Sequence, residues 1–220
     1  MQKPKGIILA GGHGTRLQPA TFTQNKHMLA VINVPMILYP LLTLKQFGIQ
    51  EILIISGGNH IGGFTEFLKN GSEYGVDLTY KVQTEAGGIA QALGLARSFA
   101  TSDLTAVILG DNFFAESFEH VSIGKPTIFV KEVSDPNRFG VFSPTEKRIF
   151  EKPKETISNL AVTGLYFYDK NVFNIIDTLV PSDRGELEIT AVNNWYLENS
   201  EIDVITLKDF WSDMGTPQSL

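Results

Sequence analysis

Near its start the chain reads Lys5-Gly-Ile-Ile-Leu-Ala-Gly-Gly-His-Gly-Thr-Arg16, a short apolar run followed at once by three glycines. The apolar residues 7–10 are typical of a buried strand. Glycine accepts positive φ angles and lets backbone amides approach a ligand closely. Arg16 adds a planar guanidinium that suits phosphate oxygens. This order of strand, glycine loop and arginine predicts a phosphate-binding turn, with a plain glycine-rich turn as the alternative.

The distribution of charge supports this prediction. The first fifty residues contain no aspartate or glutamate and carry a formal charge of +5, whereas the whole chain of 220 residues carries −6. An acidic protein that keeps carboxylates out of one segment is suited to holding a polyanion there. The acidic balance also argues against nucleic-acid binding, which usually needs a basic face. We therefore expect a small phosphorylated ligand and no nucleic-acid partner.

Two common glycine loops do not fit the sequence. A Walker P-loop needs Gly-Lys-Ser/Thr, and here the loop ends Gly14-Thr15-Arg16. The dinucleotide-binding fingerprint needs a glycine where Leu17 stands and an acidic residue about twenty positions later. No acidic residue precedes Glu51. A nicotinamide-dependent dehydrogenase is therefore disfavoured.

Strand and helix patterns alternate along the first half of the chain. They predict strands over residues 6–9, 51–55, 77–82 and 105–109, and helices over 36–47, 61–69 and 88–99. Repeated strand–helix units imply an α/β fold with a mostly parallel, Rossmann-like sheet covered by helices on both faces. From Pro126 onward the pattern predicts additional β segments at 127–133, 140–142 and 162–168, and helices at 172–179 and 187–198. With no linker or repeat between them, we predict a single domain over residues 1–220.

Composition excludes several classes of protein. The chain has no cysteine, so it forms neither disulfides nor a thiolate zinc site. The apolar run near the N-terminus is too short for a signal peptide, and no stretch approaches the ~20 residues of a membrane helix. We expect a cytoplasmic protein with no membrane partner.

Charged residues stand at places where chemistry is expected. Asp111 follows a buried strand in Gly-Asp-Asn, and Asp213 lies in Trp211-Ser-Asp-Met-Gly. Magnesium prefers hard oxygen ligands such as one or two carboxylates plus substrate phosphates, although each aspartate alone could equally form a turn. Glu151-Lys152-Pro pairs a carboxylate for hydroxyl groups with an ammonium for phosphate, yet its charged surroundings favour a surface turn on the residues alone. Ligands bind beyond the carboxyl ends of parallel strands, so we expect residues 11–16, Gln83 and Asp111 at one edge of the sheet.

Three segments carry a resemblance to a known family: Gly11-Gly-His-Gly-Thr-Arg-Leu-Gln-Pro19, Asn25-Lys26-His-Met-Leu, and Asn33-Val-Pro-Met36. They resemble the signature of the sugar-1-phosphate nucleotidylyltransferases, and the resemblance extends from about Lys5 to Leu220. Further matches are most similar to the branch that joins dTTP to glucose 1-phosphate. The resemblance implies nucleotidyl transfer with release of pyrophosphate, a Mg²⁺ cofactor and a homo-oligomer. We expect the nucleotide in residues 1–115 and the sugar phosphate in residues 116–220.

The resemblance also implies roles for individual residues. Arg16 and Lys26 match the catalytic residues, and Asp111 and Asp213 match the metal ligands. The implied nucleotide contacts are Leu9, Gly11, Gly12, Gly14, Thr15, Gln83 and Gly88, and the implied sugar-phosphate contacts are Asn112, Gly140, Glu151, Lys152, Val162 and Gly164. The segment 184–190 matches another family element, which we interpret as a helix start held by salt bridges. Use of UTP or another hexose 1-phosphate, and a non-catalytic nucleotide-sugar sensor, remain alternatives.

Overall fold

The computed structural model describes residues 3–12, 14–58 and 60–219. His13, whose amide belongs to the predicted phosphate-binding turn, and the two ends of the predicted 1–220 domain lie outside the described residues. The strands are β1 Lys5–Ala10, β2 Ala30–Val31, β3 Val34–Pro35, β4 Glu51–Gly57, β5 Asp77–Gln83, β6 Leu104–Leu109, β7 Phe113–Phe114, β8 Thr127–Glu132, β9 Gly140–Ser143, β10 Arg148–Glu151, β11 Leu160–Asp169, β12 Asp203–Thr206 and β13 Trp211–Ser212. The helices are α1 Leu38–Gln46, α2 Ile61–Leu68, α3 Ile89–Gly94, α4 Val172–Thr178 and α5 Ile189–Asn199. No helix within the described ranges is long and apolar enough to cross a membrane.

In the part of the chain that the structure describes, nine strands form one sheet in the order β10-β9-β11-β6-β1-β4-β5, with β8 and β12 continuing from β11. The four strands β6, β1, β4 and β5 run parallel. Strand β11 pairs antiparallel with β6 and joins the second half of the chain to the same sheet. This arrangement confirms the predicted α/β class. The chain leaves β1 in one direction for β4 and β5 and returns on its other side as β6, so a crevice opens at the carboxyl ends of β1 and β6.

The side chains of β1 alternate between two cores, as the period of a strand requires. Ile7 and Leu9 face the core built with helices α3, α4 and α5. Ile8 and Ala10 face the opposite core, built with α1 and α2. This two-sided burial explains the uninterrupted apolar run in the sequence and confirms the predicted cover on both faces.

Most predicted elements begin and end within two residues of the observed bounds. The bounds of helices α1 and α3 differ from the predicted ones for identifiable structural reasons. Helix α1 begins at Leu38 because the amides of Met36 and Ile37 donate to loop carbonyls, each at 2.9 Å. Helix α3 ends at Gly94, a weak helix former, and the chain continues in turns up to Phe99. Six strands were not predicted from the sequence: β2, β3, β7, β10, β12 and β13.

Candidate functional site

A cavity of about 390 Å³ lies at the carboxyl ends of β1, β5 and β6. Nine of the residues predicted from the sequence line it: Leu9, Gly11, Gly12, Gly14, Thr15, Lys26, Gln83, Gly88 and Asp111. It is also lined by residues that were not among the predicted contacts: His27, Ala86, Ile89, Ala92, Leu109 and Glu186. The structure therefore brings the whole predicted nucleotide set together, along with Lys26, predicted to be catalytic, and Asp111, predicted to bind the metal.

Gly11 is needed at the mouth of this cavity because Gln83 occupies the space beside it. A β-carbon built on Gly11 would lie 2.2 Å from Oε1 of Gln83. The amide of Gln83 is held by the hydrogen bond that its Nε2 donates to Oε1 of Gln91 at 2.7 Å. The first glycine of the loop therefore leaves room for a side chain of the protein itself, that of Gln83.

The strongest electrostatic feature of the cavity is the ion pair between Lys26 and Asp111. Lys26 begins a 3₁₀ turn, Lys26–Met28, that is capped by the side chain of Asn25. Its Nζ donates to Oδ2 of Asp111, and the two side chains are only 12% and 15% exposed. A charge pair so shielded from water interacts more strongly than a surface pair. A cation and a carboxylate therefore stand together where β1 and β6 end.

Asp111 is held as a carboxylate. Burial by itself would raise the pKa of Asp111, but the Lys26 ammonium and hydrogen bonds from Lys26 and Asn112 hold that pKa below its ordinary value. Asn112 donates from Nδ2 to Oδ1 of Asp111 at 3.0 Å. Both carboxylate oxygens are consequently oriented before any ligand arrives.

His27 lines the cavity next to Lys26, and it was missed from the sequence. Burial, followed by the positive charge of Lys26, lowers the pKa of His27 to about 3, so its ring is neutral at ordinary pH. Oδ1 of Asn25 accepts the backbone N–H of His27 at 2.9 Å and lies 2.6 Å from ring Nδ1. That oxygen requires a proton on Nδ1, and this hydrogen bonding assigns Nε2 as an acceptor. The signal in the sequence was the capping residue Asn25 two positions earlier.

Asn112 connects three parts of the site and is almost fully buried. Its Oδ1 accepts from the backbone N of Gly164 at 2.9 Å and from Nε1 of Trp211 at 2.7 Å. A β-carbon on Gly164 would lie 2.7 Å from the Asn112 amide, and the register of β11 shifts between Val162 and Tyr166. Gly164 therefore makes room for Asn112. The sugar contacts expected at Asn112, Val162 and Gly164 stay predictions.

A second group of polar residues surrounds Glu151, the last residue of β10. Oε1 of Glu151 lies 3.1 Å from Nη2 of Arg184, and its Oε2 accepts from Oγ1 of Thr190 at 2.6 Å. Arg184 also binds Glu188 at 2.9 Å, which confirms the salt-bridged start of α5. The same guanidinium thus orients the carboxylate of Glu151, a role that the sequence did not predict.

Lys152 follows Glu151 in a strained backbone conformation, with a φ of 44°. Its backbone N–H donates to the carbonyl of Phe139 at 3.0 Å, and its Nζ lies 3.7 Å from Oε1 of Glu151. Gly140 pairs with Glu151 across the β9–β10 ladder. A left-handed lysine persists only where its surroundings impose it, and such positions concentrate at functional sites.

Asp213 and Arg16 both lie beside Gly215, and neither is among the residues that line the cavity. A β-carbon on Gly215 would lie 3.1 Å from Nη2 of Arg16 and 3.1 Å from Oδ2 of Asp213. Met214, which is buried, fixes this segment with a φ of 39°. Asp213 also lies 3.5 Å from Nη2 of Arg138.

The two predicted metal ligands stand at different places in the structure, Asp111 in the cavity and Asp213 beside Gly215. Asp111 and Asp213 offer hard carboxylate oxygens, the ligands that Mg²⁺ prefers. Within residues 3–12, 14–58 and 60–219, no group of three or more histidine or acidic side chains could hold a metal. An ion here would take its remaining ligands from water and substrate phosphates.

Tyr166 is a buried residue of β11. Burial, then the negative charges of Glu151 and Asp111, raise the pKa of the Tyr166 phenol well above its ordinary value. The hydroxyl therefore stays protonated at ordinary pH. Because Tyr166 lies inside the apolar run of β11, the sequence gave no separate signal for it.

Comparisons with known proteins agree on one family. The profile of a family described as nucleotidyl transferase matches residues 5–220. A glucose-1-phosphate thymidylyltransferase of Neisseria meningitidis is 42% identical over 98% of this chain and 80% of its own length. A Bacillus anthracis protein described as a candidate glucose-1-phosphate thymidylyltransferase, crystallised with sucrose, is 46% identical, with a TM-score of 0.91 over 98% of this chain and 91% of that one. A UDP-glucose pyrophosphorylase in complex with UDP-glucose is 21% identical with a TM-score of 0.85 over 98% of this chain and 95% of that one, a likeness of fold alone.

Proposed function

Because the chain belongs to the nucleotidyl transferase family, we propose that it transfers the thymidylyl group of dTTP to glucose 1-phosphate, giving dTDP-glucose and pyrophosphate. Similar proteins at 42% and 46% identity carry the corresponding description. The observation that supports the proposal most directly is the shielded Lys26–Asp111 pair in a cavity at the carboxyl ends of β1 and β6. Ligands bind at this position in open α/β sheets.

The reaction requires little covalent chemistry from the protein. A phosphate oxygen of glucose 1-phosphate attacks the α-phosphorus of dTTP, a new P–O bond forms, and the bond to the departing pyrophosphate breaks. The nucleophile is already an anion, so no general base is needed. The protein must align two polyanions that repel each other and stabilise the charge of the transition state.

The residues of the site divide these tasks. We assign the amides of residues 11–15 and Arg16 to the triphosphate, and Lys26 to the charge that develops between the substrates. Lys152 would meet the sugar phosphate, and Glu151, oriented by Arg184, would bind sugar hydroxyls. Gln83 and Gly88 would bind the edge of the base, because an amide side chain can donate and accept together.

We assign Asp111 and Asp213 to a Mg²⁺ ion, which when bound would polarise the α-phosphoryl group. Lys26 would then either share Asp111 with the ion or turn toward the substrate phosphates. The ion pair observed between Lys26 and Asp111 is therefore suited to the free protein.

Residues 1–115 would hold the nucleotide and residues 116–220 the sugar phosphate, within a single domain. The two halves would differ in the substrate that they bind but would not be separate structural units, because Glu186 of the second half lines the nucleotide cavity. A homo-oligomer, a cytoplasmic location and the absence of a nucleic-acid partner stay predictions.

The test is release of pyrophosphate from dTTP and glucose 1-phosphate with Mg²⁺. Lys26→Ala should abolish most turnover, whereas Lys125→Ala, which removes an exposed lysine paired with Asp203, should leave it unchanged. Parallel assays with UTP, CTP and the galactose and mannose phosphates test the substrate choice. Tight binding of dTDP-glucose with no pyrophosphate release would favour a sensor instead.

A further inference from the structure

Both carboxylates that we assign to the metal are already paired with cations. Asp111 accepts from Lys26 inside the cavity. Asp213 lies 3.5 Å from the guanidinium of Arg138, with side chains that are 18% and 39% exposed. Nη2 of Arg16 lies beside the same Gly215 that Oδ2 of Asp213 borders. Neither acid therefore faces a divalent ion as an unpaired charge.

Arg138 is held at this position by the residues around it. It ends the 3₁₀ turn Pro136–Arg138, and its guanidinium lies over the ring of Phe139 at 5.3 Å. The same ring packs on Trp211 with centroids 5.0 Å apart. Trp211 is two residues from Asp213, so one aromatic contact fixes both members of the ion pair relative to each other.

Resting on the function proposed above, we propose that Arg138 is a positioning residue that serves as the counter-ion of Asp213 in the free protein. It keeps the affinity of the free site for a divalent cation low, so that the metal enters together with the triphosphate. Arg138 has no place in the chemistry itself. Its role is to orient Asp213 and to neutralise it until the metal–nucleotide complex brings its own negative charge.

The physical reason is the competition of charges at one oxygen. A guanidinium within ion-pair distance of a carboxylate lies only a few ångströms from any cation that the carboxylate binds, and the two cations repel. Two paired acids without a third ligand make a poor site for a hydrated Mg²⁺. A triphosphate changes the balance because it adds oxygen ligands and several negative charges. The repulsion from Arg138 is then outweighed.

The experiment measures binding of Mn²⁺, by electron paramagnetic resonance, to the folded protein without nucleotide and then with dTTP but no sugar phosphate. Arg138→Gln should strengthen Mn²⁺ binding to the free protein by roughly 3- to 10-fold at low salt, as expected for removing one partly screened charge. Arg138→Lys keeps the positive charge, so its affinity for Mn²⁺ should be as low as that of the unaltered protein. The matched control is Arg148→Gln, which removes an exposed arginine 3.9 Å from Glu198 and should change nothing.

A second variant separates this role from a structural one. In an Asp213→Asn protein, Arg138→Gln should no longer alter Mn²⁺ affinity, because the carboxylate through which it acts is gone. Unchanged or weaker Mn²⁺ binding in Arg138→Gln would overturn the proposal, as would an equal gain in the Asp213→Asn background. Pyrophosphate release by the unaltered protein tests the proposed function separately, since Mn²⁺ affinity is measured without turnover.

Discussion

Recognition of the base can be tested at Gly11, which never needs to touch the base itself. A methyl group added by Gly11→Ala would lie 2.2 Å from Oε1 of Gln83, whereas real contacts of a β-carbon stay beyond about 3 Å. The amide oxygen must therefore retreat by roughly 0.8 Å or more. Because that oxygen ends a flexible side chain, folding should tolerate the change. The cost falls on the orientation of Gln83 and on its 2.7 Å hydrogen bond to Gln91.

The magnitude follows from the hydrogen bonds at stake. If Gln83 donates one hydrogen bond to the thymine edge and accepts another, each contributes about 0.5–1.5 kcal/mol. Losing both costs about 1–3 kcal/mol, or roughly a 5- to 150-fold loss of kcat/KM for dTTP. CTP, which presents a different edge, should lose less. The preference for dTTP over CTP should therefore flatten in Gly11→Ala and in Gln83→Ala alike.

The assay is kcat/KM for dTTP, UTP and CTP in the two single variants and the double variant. If Gly11→Ala acts by displacing Gln83, the double variant should be no worse in base preference than Gln83→Ala alone. Gly62→Ala is the matched control, because a β-carbon there meets nothing within 4 Å. Additive losses in base preference would refute the reasoning and place the effect of Gly11 elsewhere in the loop.

Three further outcomes follow from the site. Asp111→Asn keeps the shape of the side chain but removes its charge, so kcat should fall by roughly 10²-fold or more; near-normal activity at limiting Mg²⁺ would contradict the assignment. Glu151→Gln should reduce the preference for glucose over galactose 1-phosphate with little change in KM for dTTP, and an unchanged sugar ratio would show that hydroxyls are recognised elsewhere. The pKa of His27 is lowered from 6.5 to about 3, so the unfolded chain binds the extra proton between these values and stability rises with pH up to about 6.5. Urea unfolding should show about 2 kcal/mol less stability at pH 5 than at pH 7.5 from this group, lost in His27→Gln but retained in His120→Gln.

The sequence predicted the parallel strands and the cavity for a local reason. The apolar runs that end at Ala10 and Leu109 are buried on both faces, so their pattern marks a central parallel strand without knowledge of the partners. The residues that follow each run, Gly11 and Asp111, must then lie at one edge of the sheet. Two local signals were enough to place the candidate site.

The contacts around Glu151 could not be predicted in the same way. Arg184 and Thr190 reach this carboxylate from 33 and 39 positions along the chain, and only the packing of α5 against β10 brings them there. The charged residues around β10 indicated a solvated turn. In the structure they flank a short edge strand of which only Ile149 is fully buried. Long-range pairing, which no local pattern encodes, decided the difference.

Two glycines of the site, Gly11 and Gly164, have a different role from the one that the sequence suggested. From the sequence, Gly11 was interpreted as part of a phosphate-binding turn and Gly164 as a sugar-phosphate contact. In the structure the space beside each is taken by an amide of the protein, that of Gln83 and that of Asn112. An added methyl group would displace a polar side chain whose hydrogen bonds are specific, and a displaced buried amide loses partners that water cannot replace. Glycine at these positions therefore preserves the orientation of second residues, and the effect of substituting it should depend on those residues being present.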